Sequence, residues 1–177
     1  MPIINTVKPE EATGQLAEIY KKFQDMMGFV PNAFSLRSIS PELVMQQAAF
    51  LNYYWNHETL NGKALAFIRL LVSENEDCEY CINTNTGILM QAGVSVEEIQ
   101  AAKADIEKLP LEKKEIELIK FVLKVVKNSK SISSEDMDHL RSLGWTDKDI
   151  LDATQHGTSQ VSSDMILNAF KVEQDNF

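Results

Sequence analysis

One corner is written twice in this chain. Gly93-Val94-Ser95-Val96-Glu97-Glu98-Ile99 and Gly144-Trp145-Thr146-Asp147-Lys148-Asp149-Ile150 share a glycine, an apolar residue, a hydroxyl, an acid three residues later and then isoleucine. The glycine can take a positive φ and end one helix. The hydroxyl can satisfy free amides of the next helix while the acid reaches back, and the apolar pair can staple the joint. Both stretches therefore predict helix-turn-helix joints. They read as two independent uses of a common device in preference to an ancient duplication of a helical hairpin, because nothing like the cysteine pair at 78 and 81 recurs near 130.

Other helices announce themselves in the same way, and strand signals are sparse. Ser40-Pro41-Glu42 sets a cap, a first-turn proline and an acid ahead of a helix over 43–56, and Asn61 can cap another over 62–73. Within 111–128, Leu118, Val122 and Val125 run beside Ile119, Leu123 and Val126, an apolar face at helical period. An earlier helix over 12–27 carries Leu16, Ile19, Tyr20 and Phe23 on one side and stops at Gly28. The expected fold class is all-α, a compact helical bundle of about seven or eight helices with short loops. At 177 residues the chain fits one domain over 1–177 with an ample core.

Charge narrows the partners. A formal net charge of -9 and a pI near 4.8 argue against nucleic acid, because phosphate binding needs clustered Lys and Arg and no basic stripe appears. The best apolar run, 64–72, is broken by Arg69, and the first ten residues lack a signal pattern. These features predict a soluble cytoplasmic protein with no membrane partner.

The candidate site is Cys78-Glu79-Tyr80-Cys81, the chain's only two cysteines, at the start of a helix expected over 78–91 with Asp77 or a neighbour as cap. The spacing brings two sulfurs into bonding reach, and a first-turn position favours thiolate over thiol. Four nearby carboxylates, Glu74, Glu76, Asp77 and Glu79, pull the other way. In a reducing compartment such a pair is more often catalytic or metal-binding than a staple. A closed zinc site takes about four ligands. No second pair accompanies this one, so no metal and no cofactor is expected unless subunits share a site. One turn past Cys81 stands Asn85, an amide that can orient a sulfur but cannot move a proton.

These residues resemble a family. Leu71-Val72-Ser73, Cys78-x-Tyr80-Cys81 and the helix running to Gly93-Val94-Ser95 are similar to the alkyl hydroperoxidase D (AhpD)-like branch of the carboxymuconolactone decarboxylase superfamily. Gly28-Phe29-Val30-Pro31-Asn32-Ala33-Phe34, Ser40-Pro41, and 136–145 with Asp136, His139 and Trp145 resemble its longer peroxidase-related subgroup. The resemblance implies an all-helical fold, a homo-oligomer, and reduction of a hydroperoxide substrate by cysteine. In that scheme Cys81 attacks, Cys78 resolves the sulfenic acid as a disulfide, and an external dithiol reductant restores the pair.

The family's proton relay uses a histidine four residues after the second cysteine and a glutamate twelve before the first. Here those positions hold Asn85 and Ala66. General-base help is typically worth about 100-fold or more, so a thiol peroxidase or disulfide oxidoreductase of weak activity is expected. The alternative is a non-catalytic homo-oligomeric helical protein that keeps the fold without peroxidase activity. Lactone decarboxylation, the chemistry of the other branch, lacks an obvious histidine at the matching position. His57, His139 and His156 are the histidines that could fold back toward Cys81, with His156 expected to interrupt the last helix beside Gly157. Phe50, Tyr53, Tyr54 and Trp55 are expected to pack in the core rather than wall a pocket.

Overall fold

The computed structural model describes residues 2–175, which fall into two compact units. One runs to His57 and takes in the residues from Ile166 onward, and the other is Glu58–Met165. The first contains α1 (Gly14–Met27), α2 (Asn32–Ser35) and α3 (Pro41–Trp55). The second contains α4 (Gly62–Asn75), α5 (Glu79–Gln91), α6 (Val96–Ala104), α7 (Lys113–Asn128), α8 (Ser134–Ser142) and most of α9 (Asp147–Ala169). The described residues are thus all-α, with nine helices and no strand. The count exceeds the expected seven or eight because α2, after Pro31, is a single turn of 4 residues.

In the first unit, Leu16, Tyr20 and Phe23 of α1 bury against Phe34 and Val44. The rings of Phe23 and Phe34 lie 4.1 Å apart between centroids. The aromatic run on α3 departs from expectation. Tyr54 is buried and Phe50 half-buried, yet Tyr53 is 44% and Trp55 58% exposed. Successive side chains on a helix point about 100° apart, so neighbours of Tyr54 cannot all share its face. Trp55 instead walls a groove of about 530 Å³ between α1 and α3, with Ile19, Phe23, Met26, Met45 and Ala48.

In the second unit α4 is the central helix. It packs on α5 and α7, and Ala66, Phe67, Leu70 and Val72 are fully buried, as an apolar helix with neighbours on every side must be. Asn61 caps it, its side chain accepting from the Ala64 amide at 2.8 Å. The two corners form as the sequence indicates. Gly93 and Gly144 take φ of +84° and +92°. Glu98 N donates to Ser95 Oγ at 3.2 Å while Ser95 N donates to Glu98 Oε2 at 2.8 Å, and Thr146 N donates to Asp149 Oδ2 at 3.0 Å. Val94 with Ile99, and Trp145 with Ile150, are buried at the joints.

Helix α9 passes through His156 and Gly157 without a break, contrary to expectation. Gly157 is there for space. A Cβ at this position would sit 2.3 Å from Val122 Cγ1 of α7 and 3.3 Å from Ile68 Cγ2 of α4. The helices cross at this close approach, so the glycine serves packing rather than a turn. Overpacking typically costs ~1–3 kcal/mol, of which the ~1 kcal/mol gained in helix propensity offsets only part. Gly157→Ala is expected to destabilise the chain by about 1–2 kcal/mol in denaturant unfolding, with a smaller loss in a Val122→Ala background. An unchanged midpoint would mean that the crossing has room.

Candidate functional site

The site lies wholly within the second unit and is built from short polar repeats on three helices. On α4 they are Arg69 and Ser73, on α5 Cys81 and Asn85, and on α9 His156, Gln160 and Asp164. Residues four apart on a helix share a face, so each helix presents its polar groups one turn apart. The result is two stacked layers, one around a guanidinium and one around the sulfurs.

The first layer is centred on Arg69. Its Nε donates to Asn85 Oδ1 at 2.6 Å, and its Nη1 lies 3.0 Å from His156 Nε2. Arginine has no acceptor, so His156 Nε2 must take this bond through its lone pair. That lone pair is therefore engaged by a cation and is not a base for the thiols. Burial draws Arg69 down to about 10, opposed by the charge of Cys81, which leaves it cationic at neutral pH. Asn85 completes the clamp by donating from Nδ2 to the Cys81 carbonyl at 2.8 Å. The expected bond from this amide to the Cys81 sulfur is replaced by one to its backbone.

The second layer holds the sulfurs. Asp77 carries the left-handed turn between α4 and α5, with φ of +51°, and Cys78 rather than Asp77 is the residue that precedes the first turn of α5. Cys78 N donates to the Ser73 carbonyl at 3.1 Å. Both cysteines are free and buried. From α9, Asp164 reaches them. Its carboxylate and the two sulfurs lie within 4.8 Å of one another, and the residue is 0% exposed. Ser73 Oγ donates to both Asp164 oxygens at 3.1 and 3.0 Å, and Gln160 Nε2 donates to Oδ1 at 2.7 Å. A closed zinc site needs about four ligands, and this group among the described residues offers three, with the carboxylate already held by Ser73 and Gln160.

Charge in this layer is shared. Cys78 is lowered from the ordinary thiol range because the Cys81 side chain donates to its sulfur, against the opposing effect of burial. Cys81 is raised because it is that donor, and burial and the Asp164 charge raise it further. Burial raises Asp164, while hydrogen bonds from Cys81, Gln160, Ser73 and Cys78 oppose the rise. Two thiols and a carboxylate in a buried site favour a single negative charge among them, since like charges in contact disfavour a second ionisation. The local acids matter less than the sequence suggests. Asp77 and Glu79 are exposed, and Glu74 pairs with Lys103.

Of the three histidines, His156 joins the site through Arg69. His57 belongs to the first unit, where it stacks on Tyr54, and His139 sits at the surface of α8, 3.2 Å from Glu117. Ala66 is fully buried on α4 and supplies no titratable group. Sequence reasoning missed Asp164, Gln160 and Ser73, and treated Arg69 only as a break in an apolar run. Two signals were present: a lone arginine in a buried helix requires partners, and His156, Gln160 and Asp164 at four-residue spacing form one polar stripe.

No protein-family model and no curated relative matches this chain. Solved structures do match in fold. An uncharacterized peroxidase-related protein from Silicibacter sp. TM1040 superimposes with a TM-score of 0.83 at 20% identity, covering 98% of this chain and 94% of that one. An uncharacterized peroxidase-related protein with an alkylhydroperoxidase AhpD core, from Ralstonia eutropha JMP134, gives 0.85 at 21% identity, covering 99% and 93%. A protein of unknown function from Agrobacterium tumefaciens, provisionally described as an antioxidant defence protein AhpD, gives 0.64 at 18% identity, covering 80% and 96%. The chain has the AhpD-like helical fold.

The clamp on Arg69 yields a test. Asn85→Leu keeps the volume roughly constant but deprives a half-buried cation of one acceptor and the Cys81 carbonyl of its side-chain donor. Hydrogen bonds to charged groups are worth about 1.5–3 kcal/mol, and a loss of about that size is expected in chemical unfolding. A change under ~0.5 kcal/mol, the range of ordinary surface substitutions, would show that Asn85 is not the residue holding Arg69 in place.

Proposed function

We propose that this chain is a thiol-dependent oxidoreductase that reduces hydroperoxides through Cys78 and Cys81 and draws its electrons from an external dithiol. The observation that carries this reading is the pair of free thiols at the start of α5, buried with a carboxylate within 4.8 Å. The AhpD-like fold of the peroxidase-related neighbours supports it. Asn85 acts as a positioning residue, fixing the Cys81 backbone against Arg69.

Cys78 stands at the N-cap of α5, where the free amides of the first turn favour a thiolate, and the opposite directions of the two thiols agree with that placement. Attack therefore falls to Cys78 and resolution to Cys81, the reverse of the order that the family resemblance implies. The Cys78 sulfur attacks the terminal oxygen of the hydroperoxide, the O–O bond breaks, and an alcohol leaves with a sulfenic acid on Cys78. Cys81 then displaces water to form the disulfide, and two electrons from the external dithiol restore the thiols. Both sulfurs are buried, so an oxidant reaches them only as the site opens, and turnover is slow.

Counting free thiols after treatment of the reduced protein with an organic hydroperoxide tests this directly. The wild-type chain is expected to lose both thiols, and Cys81→Ser to lose one and carry a sulfenic acid on Cys78 that a carbon nucleophile traps. Cys78→Ser is expected to react far more slowly. Trapping on Cys81 instead would restore the family order. Unreactive thiols in the wild-type chain would favour the non-catalytic scaffold, a reading supported by Asn85 and Ala66 at the relay positions.

A further inference from the structure

The redox reading leaves one step without an agent. A thiol in this site must lose a proton before it attacks, and the leaving oxygen must gain one. Neither Ala66 nor Asn85 can carry a proton, and the Nε2 lone pair of His156 is engaged by Arg69. We propose that Asp164 is the catalytic proton acceptor and donor of the dithiol, taking over from α9 the relay that Ala66 and Asn85 cannot supply.

Geometry carries the assignment. Among the described residues, Asp164 is the carboxylate grouped with both sulfurs, within 4.8 Å, and it is fully buried. Ser73 holds both of its oxygens and Gln160 holds one, so its orientation is fixed from α4 and from its own helix. The groups that face it are Ser73 from α4, Cys78 at the N-cap of α5, Cys81 from α5 and Gln160 from α9, and the cation of the stack is Arg69, one turn before Ser73 on α4.

The steps balance. Starting from the carboxylate and two thiols, Cys81 passes its proton to Asp164 and takes the proton of Cys78, leaving a Cys78 thiolate and a neutral acid. The negative charge moves within the cluster and its sum does not change. When the thiolate takes the terminal oxygen of the hydroperoxide, sulfur is oxidised by two electrons, the O–O bond is reduced, and the alkoxide leaves. Asp164 returns its proton to that alkoxide, giving the alcohol and restoring the carboxylate. The net change is thiol plus hydroperoxide to sulfenic acid plus alcohol.

This mechanism has a signature in pH. A thiolate formed by internal transfer keeps a constant population between the first and second ionisations of the cluster, so its reactivity is flat across the neutral range. A thiol that must lose its proton to solvent gains about tenfold in reactivity per pH unit until its own pKa. The experiment measures native thiol alkylation by iodoacetamide and thiol loss to an organic hydroperoxide, each against pH. It compares the full-length wild-type chain with Asp164→Asn and Asp164→Glu, with circular dichroism to confirm folding.

The wild-type chain is expected to show a flat neutral region. Asp164→Asn is expected to be slower by about 100-fold at neutral pH, to rise tenfold per unit, and to approach wild type in alkali. Asp164→Glu is expected to keep the flat region. A carboxylate that merely repelled the thiolate would give the opposite sign, since its removal would make the thiols more reactive. Asp164→Asn as fast as wild type, with an unchanged profile, overturns the proposal. Should Asp164→Asn fail to fold, the wild-type profile decides alone: a tenfold rise per unit through neutrality overturns it. If alkylation shows the flat region while hydroperoxide removes no thiols, the redox reading fails and the proton assignment stands.

Discussion

A guanidinium held inside a helical bundle imposes the constraint on which the site rests. Arg69 projects half-buried from α4, a helix whose apolar residues are buried, and withdrawing a cation from water is costly unless hydrogen bonds and a counter-charge offset it. Asn85 and His156 provide the hydrogen bonds, and they come from the two helices that also carry the sulfurs and the carboxylate. Satisfying Arg69 therefore brings α5 and α9 into register with α4. One turn on from Arg69, one turn back from Asn85 and two turns on from His156, the same helices then deliver Ser73, Cys81 and Asp164 to one place.

The counter-charge follows from the same stacking. Burial lowers Arg69 against the opposing charge of the sulfur layer, and one anion shared over the sulfurs and the carboxylate suits a cation one turn away. A second anion would be opposed by the first at close range in a medium of low dielectric. Chemistry that moves one proton within the group leaves this balance undisturbed. On the proposed function a site without a histidine base presents a thiolate in this way, and the amide of Asn85, tied to Arg69 and to the Cys81 carbonyl, is a structural part of it.

Much of the fold was legible because it is written in local chemistry. The corners at Gly93 and Gly144 are set by residues within seven positions of one another, and caps, positive φ and buried staples all formed where those residues indicated. The cysteine pair was legible for the same reason. Asp164 was not, because it stands 83 residues beyond Cys81 and meets it only through packing on α4. The nearby carboxylates misled in the opposite sense: Asp77 and Glu79 neighbour the pair in sequence but point outward. Gly157 carried an ambiguous signal, since a glycine in a helix can mark a break or a close crossing, and only the Val122 side chain of α7 distinguishes the two.

The number of negative charges that the dithiol can hold decides between a shared charge and two independent thiols. Ultraviolet absorbance of thiolate, followed against pH in the reduced full-length chain, counts them. The expected result is no more than one thiolate per chain through neutral and mildly alkaline pH, at a level that stays constant, with the second appearing only in strong alkali. Two thiolates forming together near the ordinary thiol pKa of about 8.5 would contradict the shared charge and with it the reading of the site.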